Sequence, residues 1–362
     1  MKIGIPKEIK NNEHRVGLTP ESVKKLTKQN NEVFVERDAG AEIGFDNDDY
    51  RSAGALVLET ASKVYSQSEL IVKVKEPMPE EFEYLSNQHT LFTYFHLAGN
   101  KEQAKELVKT GITAIAYETV TAEDGSLPLL APMSAIAGQI GFVVGSYFLL
   151  KPNKGIGVLL DSIGDIEPRV VTVIGAGVAG TEAIKKAVVS GAYVKIIDLS
   201  EEKLKQLQQR FGEDKIEYII STPETITEAL ACSDLVIGSV YVVGKEAPKV
   251  ITKEMISKMK PGSVVVDIAI DQGGCIETSR PTTHDDPVFM HDNVIHYCVS
   301  NMPGAVPLTA TLALNKATMP FIEMLTKEGI NKALEHEKHL ANGLNIRDGE
   351  VTHPAIKEEL GL

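Results

Sequence analysis

The feature that most constrains this chain is a glycine-rich turn placed between an apolar strand and a helix. Residues Gly175–Gly180 read Gly-Ala-Gly-Val-Ala-Gly, and an acidic residue, Asp198, follows. In this context the G-x-G-x-x-G pattern predicts a βαβ unit that binds a dinucleotide. Gly175 makes the tight turn, Gly177 lets the backbone approach a pyrophosphate, and Gly180 lets helix and strand pack closely.

Asp198 closes the second strand of this unit and indicates which dinucleotide is bound. A carboxylate there accepts hydrogen bonds from ribose hydroxyls and repels a 2′-phosphate, which favours NAD over NADP. The alternative role, capping the next helix, is already filled by Ser200. Lys203 and Lys205 would suit a phosphate, so NADP stays open as the second choice.

Strand-like and helix-like segments alternate in two series, which predicts two α/β domains with parallel sheets. The first series has strands at Lys2–Ile5, Glu32–Glu36, Leu70–Lys75, Thr90–His96 and Ile112–Tyr117, and helices that begin at Thr19 and Lys101. The second has strands at Arg169–Ile174, Tyr193–Ile197, Leu235–Val240, Val264–Ile270 and Val294–Val299, and helices at Thr181–Val189 and Glu201–Phe211.

A charge-free stretch, Leu127–Leu150, separates the two series. It is long enough to cross a bilayer, but Pro128 and Pro132 leave only about 18 residues for an unbroken helix, and a span needs about 20. We therefore expect a buried helix that joins two domains, with a membrane span as the alternative.

Two prolines, Pro303 and Pro307, mark a second boundary near residue 305. The tail beyond it is expected to be helical, without strands, and to pack on the first domain. We expect residues 1–128 and 306–362 to form a substrate-binding domain, and residues 129–305 to form an NAD-binding domain. The fold class is α/β, with two doubly wound Rossmann-like domains and a cleft between them.

Composition excludes several functions. A formal net charge of −13 argues against binding to nucleic acid or to an anionic membrane. The N-terminus has no apolar run of the kind that a secretion signal needs. The three cysteines do not pair by spacing, which argues against a disulfide framework and favours a cytoplasmic protein.

Charged residues follow several predicted strands, and ligands bind beyond the carboxyl ends of strands in such sheets. Lys75 and His96 end two strands, Asp271 follows Val264–Ile270, and Arg15 lies in the loop after the first strand. Arginine binds carboxylates with two hydrogen bonds, and His and Asp transfer protons near neutral pH. A surface cation, a core histidine and a turn cap are the alternatives for these positions.

No metal site is predicted, because the histidines lack ligand spacing on a helix and have structural roles as their simplest explanation. Those considered are His89, His284, His291 and His296. Cys275 is a possible reactive thiol, but no neighbouring cation in the sequence would lower its pKa.

Several motifs together resemble the L-alanine dehydrogenase family. The motifs are Met1–Pro20, Val72–Pro77, Thr93–Gly99, Gly175–Gly180, Ile268–Gly274, Arg280–His284 and His296–Pro307. The NAD-binding subunit of proton-translocating transhydrogenase shares the N-terminal stretch and the glycine loop. His96 and the Ile-Asp-Gln-Gly-Gly run are marks of the dehydrogenases.

The resemblance implies reversible oxidative deamination of L-alanine to pyruvate and ammonium with NAD, in a homohexamer. Arg15 and Lys75 would bind the carboxylate and oxo group of the substrate, while His96 and Asp271 would be the acid–base pair. The residues implied to contact NAD, besides the three glycines of the loop, are Ser134, Val178, Ala179, Asp198, Lys203, Ser221, Val240, Tyr241, Ile268, Ala269, Ile270, Asp271, Arg280, Val299, Ser300, Asn301 and Met302.

Two other functions remain open at this point. A transhydrogenase-type subunit would bind NAD and dock on a membrane partner, although it needs no catalytic histidine. A regulatory NAD sensor is the third possibility, because Leu308 and Asn315-Lys316 depart from the family pattern near the boundary. Glu13 has no obvious second ligand near residue 328, so a magnesium site known in some family members is not expected.

Overall fold

The computed structural model describes residues 1–97, 101–242 and 246–361. They divide into two units: unit 1 is Met1–Met133 with Gly304–Leu362, and unit 2 is Ser134–Pro303. The C-terminal segment therefore belongs to the same unit as the N-terminal one. Ala98 and Gly99, at the end of the Thr93–Gly99 motif, lie outside the described residues.

The strands of the described chain are short and are numbered here in chain order. They are β1 (Lys2–Ile5), β2 (Glu32–Glu36), β3 (Leu56–Leu58), β4 (Leu70–Val72), β5 (Thr90–Thr93), β6 (Thr113–Ala116), β7 (Val170–Ile174), β8 (Tyr193–Asp198), β9 (Ile216–Ile220), β10 (Leu235–Gly238), β11 (Val264–Asp267), β12 (Val288–His291), β13 (Val294–Tyr297), β14 (Leu344–Arg347) and β15 (Glu350–Val351).

The α-helices of the same residues are numbered likewise. They are α1 (Pro20–Lys28), α2 (Asn47–Ser52), α3 (Ala61–Gln67), α4 (Lys101–Lys109), α5 (Ala131–Phe148), α6 (Val178–Val189), α7 (Glu201–Phe211), α8 (Pro223–Cys232), α9 (Lys253–Ile256), α10 (Pro307–Glu328), α11 (Ile330–His336), α12 (Lys338–Ala341) and α13 (Pro354–Leu360).

Each unit contains a doubly wound sheet with the same strand order. In unit 1 the order is β15-β14-β6-β5-β4-β1-β2-β3, and in unit 2 it is β12-β13-β11-β10-β7-β8-β9. Six strands of each sheet are parallel and follow the same order, whereas β12, β14 and β15 are added antiparallel at one edge. The order reverses between β1 and β4 and between β7 and β10, and such switch points hold ligands in open α/β sheets. The predicted fold of two Rossmann-like α/β units is confirmed.

Local sequence accounts for many of the element boundaries. Thr19 caps α1 by accepting a hydrogen bond from the backbone N–H of Ser22, with Pro20 at the first helical position. Ser200 caps α7 in the same way. All four residues of β10 and of β11 are buried, which explains why their sequences are apolar without alternation.

Several predicted strands are too long at their carboxyl ends. Lys75, His96, Val240, Ile270 and Val299 are each predicted as the last residue of a strand, and all lie beyond the observed strand end. Apolar residues continue past the last paired position in each case, and the hydropathy pattern alone does not show where pairing stops. The patterns also missed the short elements β3, β9, α2, α3 and α8.

The expectation that the tail contains no strand is wrong. Leu344–Arg347 and Glu350–Val351 form a hairpin that extends the sheet of unit 1 next to β6. Its two loop residues, Asp348 and Gly349, both have positive φ angles (53° and 74°). An Asp-Gly pair is the usual signal for such a two-residue turn, so the sequence did contain the information.

The charge-free stretch forms α5, which begins after Pro128 and includes Pro132 in its first turn. Val143 and Tyr147 on this helix are exposed. Among the described residues, no helix is both long and apolar enough to cross a membrane.

Candidate active site

Three of the predicted site residues lie at one edge of the sheet of unit 1. Arg15 is in the loop after β1, Lys75 in the loop after β4, and His96 in the loop after β5. These three strands are neighbours and parallel, so their carboxyl ends meet at the same edge, beside the switch point. The structure therefore brings an arginine, a lysine and a histidine to neighbouring loops.

The side chain of Arg15 is only 2% exposed and is paired with Glu13. Nε of Arg15 donates to Oε1 of Glu13 at 2.6 Å, and Nη2 donates to Oε2 at 2.5 Å. Burial by itself lowers the pKa of Arg15, but the charge and hydrogen bonds of Glu13 outweigh it and raise that pKa. Glu13 therefore fixes the guanidinium in one orientation and keeps it charged.

The loop that carries Arg15 is held by a residue almost 300 positions later in the chain. Oδ1 of Asn315, on α10, accepts a hydrogen bond from the N–H of Thr19 at 2.8 Å, and its Nδ2 donates to the carbonyl of Gly17 at 3.0 Å. Asn315 is buried. The C-terminal segment thus contributes to the geometry of the predicted substrate loop.

The backbone before Lys75 is fixed by a buried carboxylate. Oε1 of Glu8 accepts hydrogen bonds from the N–H groups of Val74, at 2.6 Å, and Lys75, at 3.3 Å. Its Oε2 lies 3.1 Å from Nζ of Lys73, which also donates to Glu81. Burial raises the pKa of Glu8, although the charge of Lys73 opposes this. These contacts place the Lys75 side chain relative to the loop after β1.

His96 has a strained backbone. Its φ angle is +48°, a left-handed conformation that non-glycine residues adopt mainly where surrounding contacts enforce it. The buried carboxylate of Glu118 accepts hydrogen bonds from the N–H groups of His96, at 2.6 Å, and Phe95, at 3.2 Å. The imidazole stacks on Tyr94, with an interplanar angle of 7°. Both contacts define where the ring points.

The glycine loop of unit 2 has the geometry that its sequence predicts. Gly175 has a φ angle of +96°, and a Cβ there would lie 2.8 Å from the carbonyl oxygen of Ser239. A Cβ on Gly180 would lie 1.8 Å from the carbonyl oxygen of Gly175, whereas one on Gly177 would meet no atom within 4 Å. Two glycines therefore permit close packing, and the third leaves space in front of the start of α6.

Asp198 contacts the glycine loop directly. Oδ2 accepts a hydrogen bond from the N–H of Ala176 at 2.6 Å, and Oδ1 accepts one from the N–H of Ser200 at 2.8 Å. The carboxylate thus takes part in local turn structure, while Ser200 caps α7 as predicted. An ionised carboxylate has about four acceptor sites, so capacity for ribose hydroxyls remains.

Exposed apolar side chains line the same edge of this sheet. Ile220 is the last residue of β9, and the others come shortly after β7, β8 and β10. These others are Val178, Leu199 and Tyr241. An apolar surface next to such a glycine turn could accommodate an aromatic ring. Ser221 lies after β9, and its N–H donates to the carbonyl of Asp198.

Asp271 does not end a strand as predicted. It lies in a 3₁₀ turn, Ile268–Gln272, which follows Asp267, the last residue of β11. The Asp267 side chain caps this turn by accepting a hydrogen bond from the N–H of Ala269. Both carboxylate oxygens of Asp271 accept from the N–H of Asn301, at 3.1 and 3.2 Å. The side chain of Asp271 is exposed, so it is oriented but remains accessible.

The other residues implied to contact NAD differ in what they can offer. Five of them have buried side chains: Ala269, Ile270, Val299, Asn301 and Met302. The four apolar ones among these could contact a bound ligand only through their backbone atoms. The Arg280 guanidinium lies over the Phe289 ring at 4.3 Å. The remaining ones are partly or fully exposed: Ser134, Ala179, Lys203, Val240, Ile268 and Ser300.

Ser134 is close to the glycine loop through its helix. It precedes Gly138 by four residues on α5, so both lie on one face. A Cβ on Gly138 would lie 2.0 Å from the carbonyl oxygen of Ala179, which shows how closely α5 packs on the first turn of α6.

The histidines and cysteines outside these edges are structural. His296 is fully buried, with Nε2 2.8 Å from Thr278 Oγ1 and Nδ1 3.0 Å from the carbonyl of Val294. Burial lowers its pKa to about 4. Burial and the charge of Asp267 raise the pKa of Cys275 well above its ordinary value, so this thiol is unreactive.

The predicted residues thus fall into two sets. Arg15, Lys75 and His96 belong to unit 1, while Asp271 and all the predicted cofactor residues belong to unit 2. Sequence reasoning named Glu13 and Asn315 for other reasons and assigned a supporting role to none of the residues that hold these side chains in place, which are Glu8, Glu13, Glu118, Asp267, Ser239 and Asn315. Only Asp267, an acid at the end of an otherwise apolar strand, carried a local signal.

Comparisons with known proteins cover the whole chain. Residues 4–137 match the family model "Alanine dehydrogenase/PNT, N-terminal domain", and residues 141–354 match "Alanine dehydrogenase/PNT, C-terminal domain". An alanine dehydrogenase from Halomonas elongata is 48% identical over 362 residues, covering 100% of this chain and 97% of that protein.

Two solved structures are similar to this chain over nearly its whole length. A structure of L-alanine dehydrogenase is 46% identical, with a TM-score of 0.93, and covers 100% of this chain and 99% of its own. A transhydrogenase from Sinorhizobium meliloti is 28% identical, with a TM-score of 0.80, and covers 98% and 100%.

Proposed function

The chain belongs to the alanine dehydrogenase/PNT family, and we propose that it is an NAD-dependent L-alanine dehydrogenase, which converts L-alanine reversibly to pyruvate and ammonium. The observation that carries the proposal is the set of Arg15, Lys75 and His96 on the loops of three neighbouring strands in unit 1. Identity of 46–48% to proteins named alanine dehydrogenase over the full chain supports it.

The residues of unit 2 suit a nicotinamide dinucleotide. The free space in front of Gly177, next to the start of α6, fits a pyrophosphate, because helix N-termini present unpaired N–H groups and a positive dipole end. Asp198 suits the adenosine ribose, and Tyr241, Ile220 and Leu199 suit the base. Asp198 also supports the choice of NAD over NADP, because its negative charge would repel a 2′-phosphate.

The substrate is held by the two cations of unit 1. Arg15 binds the carboxylate of L-alanine, and its pairing with Glu13 keeps the guanidinium in one orientation. Lys75 donates a hydrogen bond to the carboxylate and to the oxygen that develops at Cα, where it stabilises negative charge. When bound, NAD supplies the acceptor for the hydride that leaves Cα.

Asp271 and His96 move the protons. Loss of a proton from the amino group and of hydride from Cα leaves an iminium ion. Asp271 takes a proton from the water that attacks this carbon and then returns it to the nitrogen of the resulting carbinolamine. The C–N bond then breaks, ammonia leaves, and His96 takes the proton of the hydroxyl group to give pyruvate. The left-handed backbone at His96 and its stacking on Tyr94 orient the ring for this transfer.

The transhydrogenase-type function is the second candidate, because a structural relative carries that name. Two observations favour the dehydrogenase. The identity is 46% to the alanine dehydrogenase structure and 28% to the transhydrogenase. A hydride carrier between two nicotinamides has no use for a strained, positioned histidine beside an arginine and a lysine.

The direct test is a rate measurement with purified protein. NAD reduction is followed with L-alanine, L-serine, L-2-aminobutyrate and glycine, and NADP replaces NAD in a parallel series. We expect L-alanine with NAD to be the fastest pair, with pyruvate as product. Turnover with none of these amino acids would favour the transhydrogenase-type function, and equal rates with NADP would remove Asp198 from the ribose site.

A cytoplasmic location and a homohexameric assembly complete the proposal. The family resemblance supports the hexamer, and the three free thiols of the chain support a reducing compartment. Light scattering of the purified protein measures the number of subunits.

A further inference from the structure

A buried carboxylate with an unused oxygen lies next to Lys75. Glu76 is 9% exposed, and its Oε1 accepts a hydrogen bond from Nζ of Lys10 at 2.6 Å. Its Oε2 is buried and has no hydrogen-bond partner among the described residues. Leaving a buried polar atom unpaired costs about 1–3 kcal/mol, so this arrangement needs an explanation.

The charges around Glu76 keep it ionised. Burial alone raises the pKa of this carboxyl group, but the positive charges of Lys75 and Lys10, the hydrogen bond from Lys10, and His96 in its protonated form outweigh burial and bring the pKa below its usual value. A negative charge is therefore present at neutral pH, beside two residues assigned to the substrate.

The Lys75 ammonium group is a charged neighbour of the unused oxygen. Nζ of Lys75 lies 3.9 Å from Oε2 of Glu76, an ion pair without a hydrogen bond. The Lys75 side chain is about 4% exposed, and in the described part of the chain its ammonium group makes no hydrogen bond. All three N–H donors thus remain for a ligand, while the charge of Glu76 fixes the position of the group.

Glu76 also connects two loops. Lys10, the partner of Oε1, lies in the loop after β1 that carries Arg15, and Glu76 lies in the loop after β4 that carries Lys75. The carboxylate therefore links the two predicted substrate-binding loops through side chains, whereas Glu8 links them through backbone N–H groups.

We propose that Glu76 is a positioning residue, which holds the Lys75 ammonium group at the substrate by charge and ties its position to the Arg15 loop through Lys10. This proposal rests on the proposed function. Glu76 acts through Lys75 and need not touch the substrate itself.

The test is a double-mutant cycle in pyruvate reduction by NADH and ammonium. Glu76→Gln keeps the shape and removes the charge, and we expect kcat/KM for pyruvate to fall by about tenfold, since small misplacements of binding groups have effects of this order or larger. In a Lys75→Gln background the same change is expected to have almost no further effect, because the group that it positions is gone.

A matched control separates this role from general destabilisation. Asp234 is a buried carboxylate paired with Lys260 at 2.9 Å, and it belongs to unit 2. Asp234→Asn is expected to lower the melting temperature without changing KM for pyruvate. If Glu76→Gln does not fold, Lys10→Met removes the outer partner and is expected to lower kcat/KM in the same direction by a smaller factor.

These assays distinguish failure of the Glu76 proposal from failure of the proposed function. Equal losses from Glu76→Gln in the native and Lys75→Gln backgrounds, or no loss in the native background, would overturn the proposal for Glu76 alone. If only Lys10→Met folds, an unchanged kcat/KM would overturn it. A native protein that neither binds pyruvate by calorimetry nor reduces it would overturn the proposed function and this proposal together.

Discussion

The carboxyl edges of the two sheets are built from different groups, although their strands follow the same order. In unit 1 the edge depends on side-chain charges that are buried in pairs, such as Glu13 with Arg15 and Lys73 with Glu8 and Glu81. In unit 2 the edge depends on backbone groups and on glycines that leave room. A small charged substrate requires side chains that reach it, whereas a long dinucleotide is held largely by backbone and open space.

The difference extends into the interiors below the two edges. Unit 1 keeps ions inside: Lys73 is fully buried, and the charges of Glu8 and Glu81 outweigh burial to raise its pKa. Unit 2 buries His296 and lowers its pKa, which leaves that ring neutral at pH 7. Changes to the glycine loop should therefore damage unit 2, and changes to the buried ion pairs at the strand ends should damage unit 1.

The largest expected effect comes from adding one carbon to the glycine loop. In Gly180→Ala the new Cβ would lie 1.8 Å from the carbonyl oxygen of Gly175. Such a contact with backbone cannot be relieved by a side-chain movement, and we expect a loss of about 3 kcal/mol or more in the free energy of unfolding. Urea denaturation and NADH titration measure it. A stable variant with native NADH affinity would show that this packing does not matter.

The next largest effect is expected from Asp271, the carboxylate of unit 2 that is proposed to act in catalysis. Asp271→Asn keeps the hydrogen-bonding shape toward Asn301 only in part and removes the base. We expect turnover to fall by about 100-fold or more, the usual loss for a general base, while NADH affinity stays near native. If the variant keeps more than about a tenth of native turnover, Asp271 is only a turn residue.

A smaller effect is expected from the imidazole of His296, which is buried in unit 2. The pKa of His296 is about 4 in the folded protein and 6.5 in an unfolded chain. The unfolded chain therefore binds a proton that the folded one lacks, so this stability is complete above pH 6.5 and is lost as the pH falls toward 4. Between pH 7.5 and pH 5 the loss amounts to about 2 kcal/mol.

The measurement is urea unfolding at both pH values for the native protein and for His296→Gln. The variant cannot take up this proton. Its loss of unfolding free energy on acidification therefore measures the contribution of the other titrating groups. The native protein should lose more stability than the variant on acidification. Equal losses would mean that His296 is protonated in the folded state.

The comparison also explains how much the sequence could reveal. The glycine loop is six consecutive residues flanked by a strand and a helix, so its conformation follows from local rules, and its predicted geometry is confirmed. The fold class could be predicted for a similar reason, because alternation of apolar runs and helices is visible along the chain.

The support for Arg15, Lys75 and His96 could not be predicted. Their partners are distant in sequence: Asn315 contacts Gly17 across 298 positions, and Glu118 contacts His96 across 22. Nothing in the local pattern distinguishes such a glutamate or asparagine from a surface residue. Arg15, Lys75 and His96 were noticed because strand ends meet at one edge, which is a rule of topology and not of local sequence, and their proposed roles came from the family resemblance.

The central claim is that unit 1 binds the substrate and unit 2 binds the cofactor. The most direct measurement is a pair of variants assayed for both ligands. Arg15→Lys keeps the charge but loses the two-pronged hydrogen bonding, and KM for pyruvate should rise about tenfold or more, since hydrogen bonds to charged groups contribute about 1.5–3 kcal/mol. NADH affinity should stay native.

Gly177→Ala should weaken NADH binding and leave pyruvate binding unchanged. Its Cβ meets no atom within 4 Å, so stability should be unchanged, but the methyl group would occupy the space proposed for the pyrophosphate. We predict weaker NADH binding at native affinity for pyruvate. If Arg15→Lys weakens NADH binding as much as pyruvate binding, or if Gly177→Ala leaves NADH binding unchanged, this assignment of ligands to units is wrong.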